Sequence, residues 1–213
     1  LVINPWNLDA LLDLERETGR RVNTVLQLRL HPRLAELRDR VAAERPRKPY
    51  DVSLTYVTAR GRWYDTSWKG SDERSGGLVT NIGIHLFDLL LWLFGPVQIC
   101  EVHQRERRRM AGFLDLGRAR VRWFLSADAA DLPFAPEPGA KTTFRSITID
   151  GEEVEFSEGF GDLHTRVYEE ALAGRGFGIE DSRPAIELSH RIREAAVEPV
   201  AAHLHPMLTG ARR

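Results

Sequence analysis

Apolar residues along the chain change their spacing several times, and each change marks an element. Leu8, Leu11 and Leu12 fall on one face at helical spacing. Asn4-Pro5 ahead of them offers an N-cap with Pro at the first helical position, and Gly19 suits a left-handed stop. Val22 to Leu30 is β-rich and reads as a buried strand. Pro32 opens a second helix with Leu34, Leu37 and Val41 inward, and Arg45-Pro46-Arg47-Lys48-Pro49 reads as a surface connection. Beyond it the pattern predicts strands at 51–59, 97–104, 112–116, 119–126, 144–149 and 152–157, with Asp150-Gly151 as a hairpin turn. Ile84 to Phe94 is a nearly continuous apolar run, which predicts a buried helix. Residues 127–143, rich in Pro and Ala, read as a loop or lid. Helices are predicted at 161–174 and 183–196, the second capped by Asp181 or Ser182.

Many strands with few intervening helices predict an α+β domain: a mostly antiparallel open sheet with helices on one face. The predicted divisions are 1–31, 32–198 and a weakly patterned, loosely held tail at 199–213. Residues 1–30 make one α–β unit, too small to bury its own apolar face. The chain opens at Leu1-Val2-Ile3-Asn4-Pro5 with no initiator Met and no Gly-rich nucleotide loop before it. Both features lead to the expectation that this is the C-terminal two-thirds of a larger enzyme.

Composition removes several function classes. A formal net charge of −1 gives no global field toward nucleic acid or membrane. The lone Cys100 rules out an internal disulfide and a Cys-based zinc site, and suits a reducing cytoplasm. The apolar run is too short to span a bilayer and carries His85 and Asp88.

The chemistry concentrates at Ser75-Gly76-Gly77-Leu78-Val79-Thr80-Asn81-Ile82-Gly83-Ile84-His85, a Gly-rich loop running into the apolar helix. It delivers Asn81 and His85 to the helix mouth, and an imidazole there can take a proton near neutral pH. Asp88, one turn on, could orient that ring or simply cap a neighbour. Arg60, Tyr64, Trp68 and Lys69 form a polar-aromatic loop after a strand, able to contact a ligand or else to pack as solvated surface. Gln27 and Arg29 end the 22–30 segment, where α/β sheets present ligand contacts. His164 and Tyr168 share a helix face.

Val25-Leu26-Gln27-Leu28-Arg29-Leu30-His31-Pro32, the Gly-Gly…Asn-Ile-Gly-Ile-His segment with its helix ending in Phe94-Gly95, and Glu180-Asp181-Ser182-Arg183-Pro184 together resemble the Gfo/Idh/MocA oxidoreductases over residues 1–197. Gly61-Arg62-Trp63-Tyr64 and Ser67-Trp68-Lys69-Gly70 look most like the UDP-N-acetyl-2-amino-2-deoxyglucuronate dehydrogenases of bacterial surface-polysaccharide synthesis. The resemblance implies a Rossmann domain for NAD(P), ending in a Glu-Lys-Pro segment just ahead of Leu1, so that the cofactor loop and an active-site Lys fall outside this sequence. It implies NAD as cofactor and a UDP-sugar oxidised at its C3 hydroxyl, with His85 as catalytic residue. Asn81, Arg60, Tyr64, Trp68, Lys69, Asp88 and His164 would lie on the substrate, and Gln27 and Arg29 on the cofactor. Many members carry Asp where this chain has Asn81, which concentrates acid/base work on His85.

A related sugar or inositol dehydrogenase, or a non-catalytic binding or oligomerisation module, are the competing readings. The resemblance further implies a homodimer or homotetramer through the open sheet face, where Thr55, Glu101, His103, Arg120, Arg122, Ser146, Thr148, Glu153 and Glu155 alternate with apolar neighbours. Three segments imitate other functions. Gly174-Arg175-Gly176-Phe177-Gly178 follows a helix and reads as a turn. Arg105 to Arg109 reads as the wet end of a hairpin. His203 and His205 have no carboxylate or Cys beside them, so no metal is expected.

Overall fold

The computed structural model describes residues 2–135, 141–198 and 202–210. Six strands form one sheet in the order β2-β3-β4-β1-β5-β6. They are β1 (Tyr50–Thr58), β2 (Ile99–Arg105), β3 (Arg109–Asp115), β4 (Ala119–Ser126), β5 (Thr143–Ile149) and β6 (Glu152–Glu155). Only β1 and β4 pair in parallel; the other neighbours are antiparallel. Asp150 and Gly151 both take positive φ, 48° and 91°, which is the primed geometry a two-residue hairpin needs.

The helices are α1 (Pro5–Thr18), α2 (Pro32–Ala43), the one-turn α3 (Trp63–Thr66) and α4 (Asp72–Ser75), α5 (Ile84–Phe94), α6 (Leu163–Leu172) and α7 (Ile179–Glu194). Helix α5 lies in the core, its Phe87 edge-on to Trp123 of β4 at 5.5 Å. On the same side of the sheet, α2 contributes Leu34, Leu37 and Val41, and α7 contributes Leu188 and Ile192. Gly112 makes room for this packing: a Cβ there would come within 2.6 Å of the Trp123 ring. The helical stretch Asp72–Phe94 is long and apolar enough to cross a bilayer, but 67% of its most apolar window is buried inside the fold.

The structure corrects three local expectations. The 22–30 segment is no strand: Thr24 alone bridges to Phe177, and Gln27–Leu30 form a 3-10 turn. A β-rich sequence needs a ladder beside it, and the described residues supply one bridge. Helix α7 starts at Ile179, four residues early, because Asp181 accepts from the Gly178 amide at 2.7 Å and so acts from inside the first turn. The basic run is, as expected, the exposed end of the β2–β3 hairpin, and its arginines are tied down there. Arg105 donates to the Ile192 and Ala195 carbonyls, Arg108 grips Asp65, and Arg109 meets Asp131 and Asp128.

The third correction concerns the far side of the sheet. Residues 202–210 lie across it instead of trailing away. His203 stacks on Phe113 at 4.5 Å and His205 on Phe124 at 5.5 Å, while Met207 and Leu208 pack beside Val57 and Phe124. The centre of this face is apolar, and the expected polar row flanks it. Residues 136–140 of the expected lid, and 199–201 and 211–213 of the tail, lie outside the described residues.

Candidate functional site

The loop ahead of α5 is shaped by two consecutive left-handed glycines, Gly76 (φ 71°) and Gly77 (φ 63°). Side chains there would collide with Thr80 and Asp72, so only glycine makes the turn. The chain then widens into one π turn at Val79–Gly83 before tightening into α5. Asn81 lies in that wide turn and donates to the Lys69 carbonyl at 3.0 Å; Ser75 donates to the same carbonyl at 2.8 Å. Asn81 therefore latches the 60–70 loop to the start of the core helix.

His85 follows one turn later, recessed but still reached by solvent. Burial, with the Arg145 and His164 side chains as nearby positive charge, pulls its pKa down to about 4. The ring is neutral at physiological pH and free to accept a proton. His164 projects from the exposed side of α6. Arg145, on the helix-facing side of β5, was not singled out from the sequence. The signal was there: strand alternation places it inward with Ile147 and Ile149, an unusual address for an arginine.

Asp88 does not orient His85. Its carboxylate is 3% exposed and takes a two-pronged grip from Arg29, Nη2–Oδ1 at 2.7 Å and Nε–Oδ2 at 3.1 Å. Burial pushes the Asp88 pKa up, and Arg29 offsets part of that. Arg29 also donates to the Asp181 carbonyl and lies over the Phe177 ring. This pair ties α5 to the 27–30 turn and the start of α7. Gln27 is buried there, and its Oε1 has no partner among the described residues.

The 60–70 loop is more ordered than its composition suggested. Tyr64 is 1% exposed, with its hydroxyl buried and unpartnered, and burial raises its pKa. Arg60 lies over the Trp63 ring, and Lys69 lies 6.0 Å from the ring of Trp68, which is exposed. Asp65 anchors the loop: its hydrogen bonds from Arg108 hold its carboxyl below the usual range. The candidate residues thus fall into three groups: the neutral His85 with Arg145 and His164, the latched 60–70 loop with Asn81, and the closed Arg29–Asp88 tie. Among the described residues no three His, Cys, Asp or Glu side chains group as metal ligands.

A mostly antiparallel sheet backed by helices is the architecture of an oxidoreductase C-terminal alpha/beta domain. Residues 48–130 match the family model "Oxidoreductase family, C-terminal alpha/beta domain", and the chain belongs to the Gfo/Idh/MocA family. Among solved structures, it is 51% identical to the WlbA (WbpB) dehydrogenase from Thermus thermophilus in complex with NAD and UDP-GlcNAcA. That match covers 97% of this chain and 66% of the other, with a TM-score of 0.88. A second structure of the same dehydrogenase, with NAD and alpha-ketoglutarate, has a TM-score of 0.89 at the same identity and coverage. The WlbA dehydrogenase from Bordetella pertussis shares the fold at 21% identity and a TM-score of 0.69, over 90% of this chain and 65% of that one. The chain spans just under two thirds of the length of these proteins.

Proposed function

We propose that the protein forms the substrate-binding and oligomer-forming part of a cytoplasmic NAD-dependent dehydrogenase that oxidises the C3 hydroxyl of a UDP-linked N-acetylglucosaminuronic acid in bacterial surface-polysaccharide synthesis. The observation that carries this reading is His85. It is a recessed, neutral imidazole beside two nitrogenous side chains, on a chain 51% identical to a dehydrogenase solved with NAD and UDP-GlcNAcA.

Toward NAD this chain would contribute Gln27 and Arg29. Gln27 offers a buried, unpartnered amide oxygen, while no described Gly-rich loop leads from a strand into a helix to cradle a pyrophosphate. When bound, NAD supplies the hydride acceptor. The rest falls to the chain's own side chains. His85 Nδ1 or Nε2 takes the hydroxyl proton, which a ring held neutral can do without first losing one. Asn81 and the 60–70 loop enclose the sugar, with Arg60, Trp68 and Lys69 held around the buried Tyr64. The polar rows flanking β1 and β4 serve assembly into a dimer or tetramer.

NADH formation from UDP-GlcNAcA by a polypeptide carrying a dinucleotide-binding domain ahead of Leu1 tests the reading. Turnover with UDP-GlcNAcA is expected. No turnover with it, alongside turnover of a free sugar or inositol, would replace the substrate assignment.

A further inference from the structure

Arg145 differs from the half-buried Arg29, Arg108 and Arg109 because no carboxylate among the described residues meets it. Its Cζ lies 4.7 Å from the Tyr56 ring centroid and 4.2 Å from that of Phe160, so the guanidinium is held between two aromatic faces. Nη2 donates to the Tyr56 hydroxyl at 3.1 Å, and Nη1 makes a long 3.4 Å contact with the Ser157 carbonyl. That leaves Nε–H and one hydrogen on each Nη without an acceptor among the described residues. Glu155 and Glu158 are occupied by Lys141, at 3.2 and 3.0 Å. Arg29, Arg108 and Arg109 each hold a carboxylate at 3.0 Å or closer.

Burying a cation without a counter-charge is costly. Aromatic stacking offsets part of that cost and also fixes the plane of the fork. The result is a pre-oriented donor edge waiting for an oxyanion, across Tyr56 from Leu125, which packs against Gly83 in the turn ahead of His85. Arginine suits that role because its parallel N–H groups match carboxylate and phosphate oxygens two at a time.

We propose that Arg145 receives an oxyanion of the substrate, the sugar carboxylate or the nucleotide diphosphate, and so anchors the nucleotide sugar in the site. This rests on the nucleotide-sugar reading above.

Calorimetry of UDP-GlcNAcA, uncharged-sugar UDP-N-acetylglucosamine and UDP, on the protein and on Arg145→Gln, tests it. Losing charge-assisted hydrogen bonds is expected to weaken UDP-GlcNAcA by about 10–100-fold. Loss confined to UDP-GlcNAcA assigns the carboxylate; equal loss for all three ligands, UDP included, assigns the diphosphate. Unchanged affinities in a folded Arg145→Gln protein, or no binding of any of the three by the unsubstituted protein, overturn the proposal. Should Arg145→Gln fail to fold, Arg145→Lys carries the same test: it keeps the charge and loses the fork, so the same ligand is expected to weaken, and unchanged affinities again overturn it. If binding depends on Arg145 while the NAD-linked assay yields no NADH, the dehydrogenase reading fails and the anion anchor stands.

Discussion

Arg29 and Arg145 are two partly buried arginines in opposite states. Arg29 is closed: its fork holds Asp88, a further N–H reaches the Asp181 carbonyl, and Phe177 covers its face. Arg145 is open: aromatic rings hold it in place, and its remaining donors meet nothing acidic. Both are charged side chains removed from much of the water, so burial alone does not separate structure from function. Partner count does. A closed pair spends its directional bonds on the fold, whereas an open, rigid cation keeps them for a ligand. Asn81 and His85 repeat the contrast one turn apart, the first latched to Lys69 and the second held neutral and without a hydrogen-bond partner among the described residues.

The largest expected effect is on the open side. His85→Ala should lower turnover of the NAD-linked enzyme by about 10²–10⁴-fold, the range for losing a positioned base, with little change in NAD affinity. Near-wild-type turnover would make His85 structural. Because its pKa lies near 4, the base stays competent from neutral pH down to that value, and turnover should fall only as pH drops through it. A pH–rate profile losing its acid limb near neutrality would contradict this.

On the closed side, Asp88→Ala should destabilise the fold by about 3–5 kcal/mol, because Arg29 would be left buried without its anion. Urea unfolding measures this. The double variant Arg29→Met/Asp88→Leu should recover most of the loss, since burial already works against the Asp88 charge. If Asp88→Ala costs nothing, the pair is not closed in solution.

A smaller effect is expected where the two kinds of region meet. Asp65→Ala releases the Arg108 clamp on the 60–70 loop. The Michaelis constant for UDP-sugar should rise severalfold with kcat and the melting temperature nearly unchanged. A drop in kcat alone would mean that the loop acts on chemistry and not on binding.

The smallest concerns acid stability. His205 is buried against Phe124, accepts from the Met207 amide at Nδ1 and reaches Thr55 through Nε2; burial, then Arg122, pulls its pKa down to about 3. The folded state therefore binds fewer protons than the unfolded state between pH ~6.5 and ~3. Stability must rise with pH across that window and be lost as pH falls through it. His205→Gln should flatten this slope in unfolding curves taken from pH 7 to about 4; an unchanged slope would show that residues 202–210 leave the sheet in solution.

The sequence alone determined what depends on short-range periodicity and turn chemistry. Strand alternation, the Asp150-Gly151 turn, the Pro-led helices and the nearly continuous apolar run of α5 were all legible, because each is set by residues within a few positions of one another. So was the left-handed turn at Gly76-Gly77 that precedes His85. Only the tertiary structure decided which charges find partners. Arg29 and Asp88 are 59 positions apart, Asp65 and Arg108 43 apart, and Thr55 and His205 150 apart. No local pattern encodes those meetings. The same holds for the 22–30 segment, whose strand-forming residues lack a ladder, and for the tail, whose histidines acquire meaning from two phenylalanines on distant strands. Arg145 stands between the two cases. Its inward position could be read from alternation, but its lack of an acidic partner emerged only when β1, β5 and the segment around Phe160 came together around it.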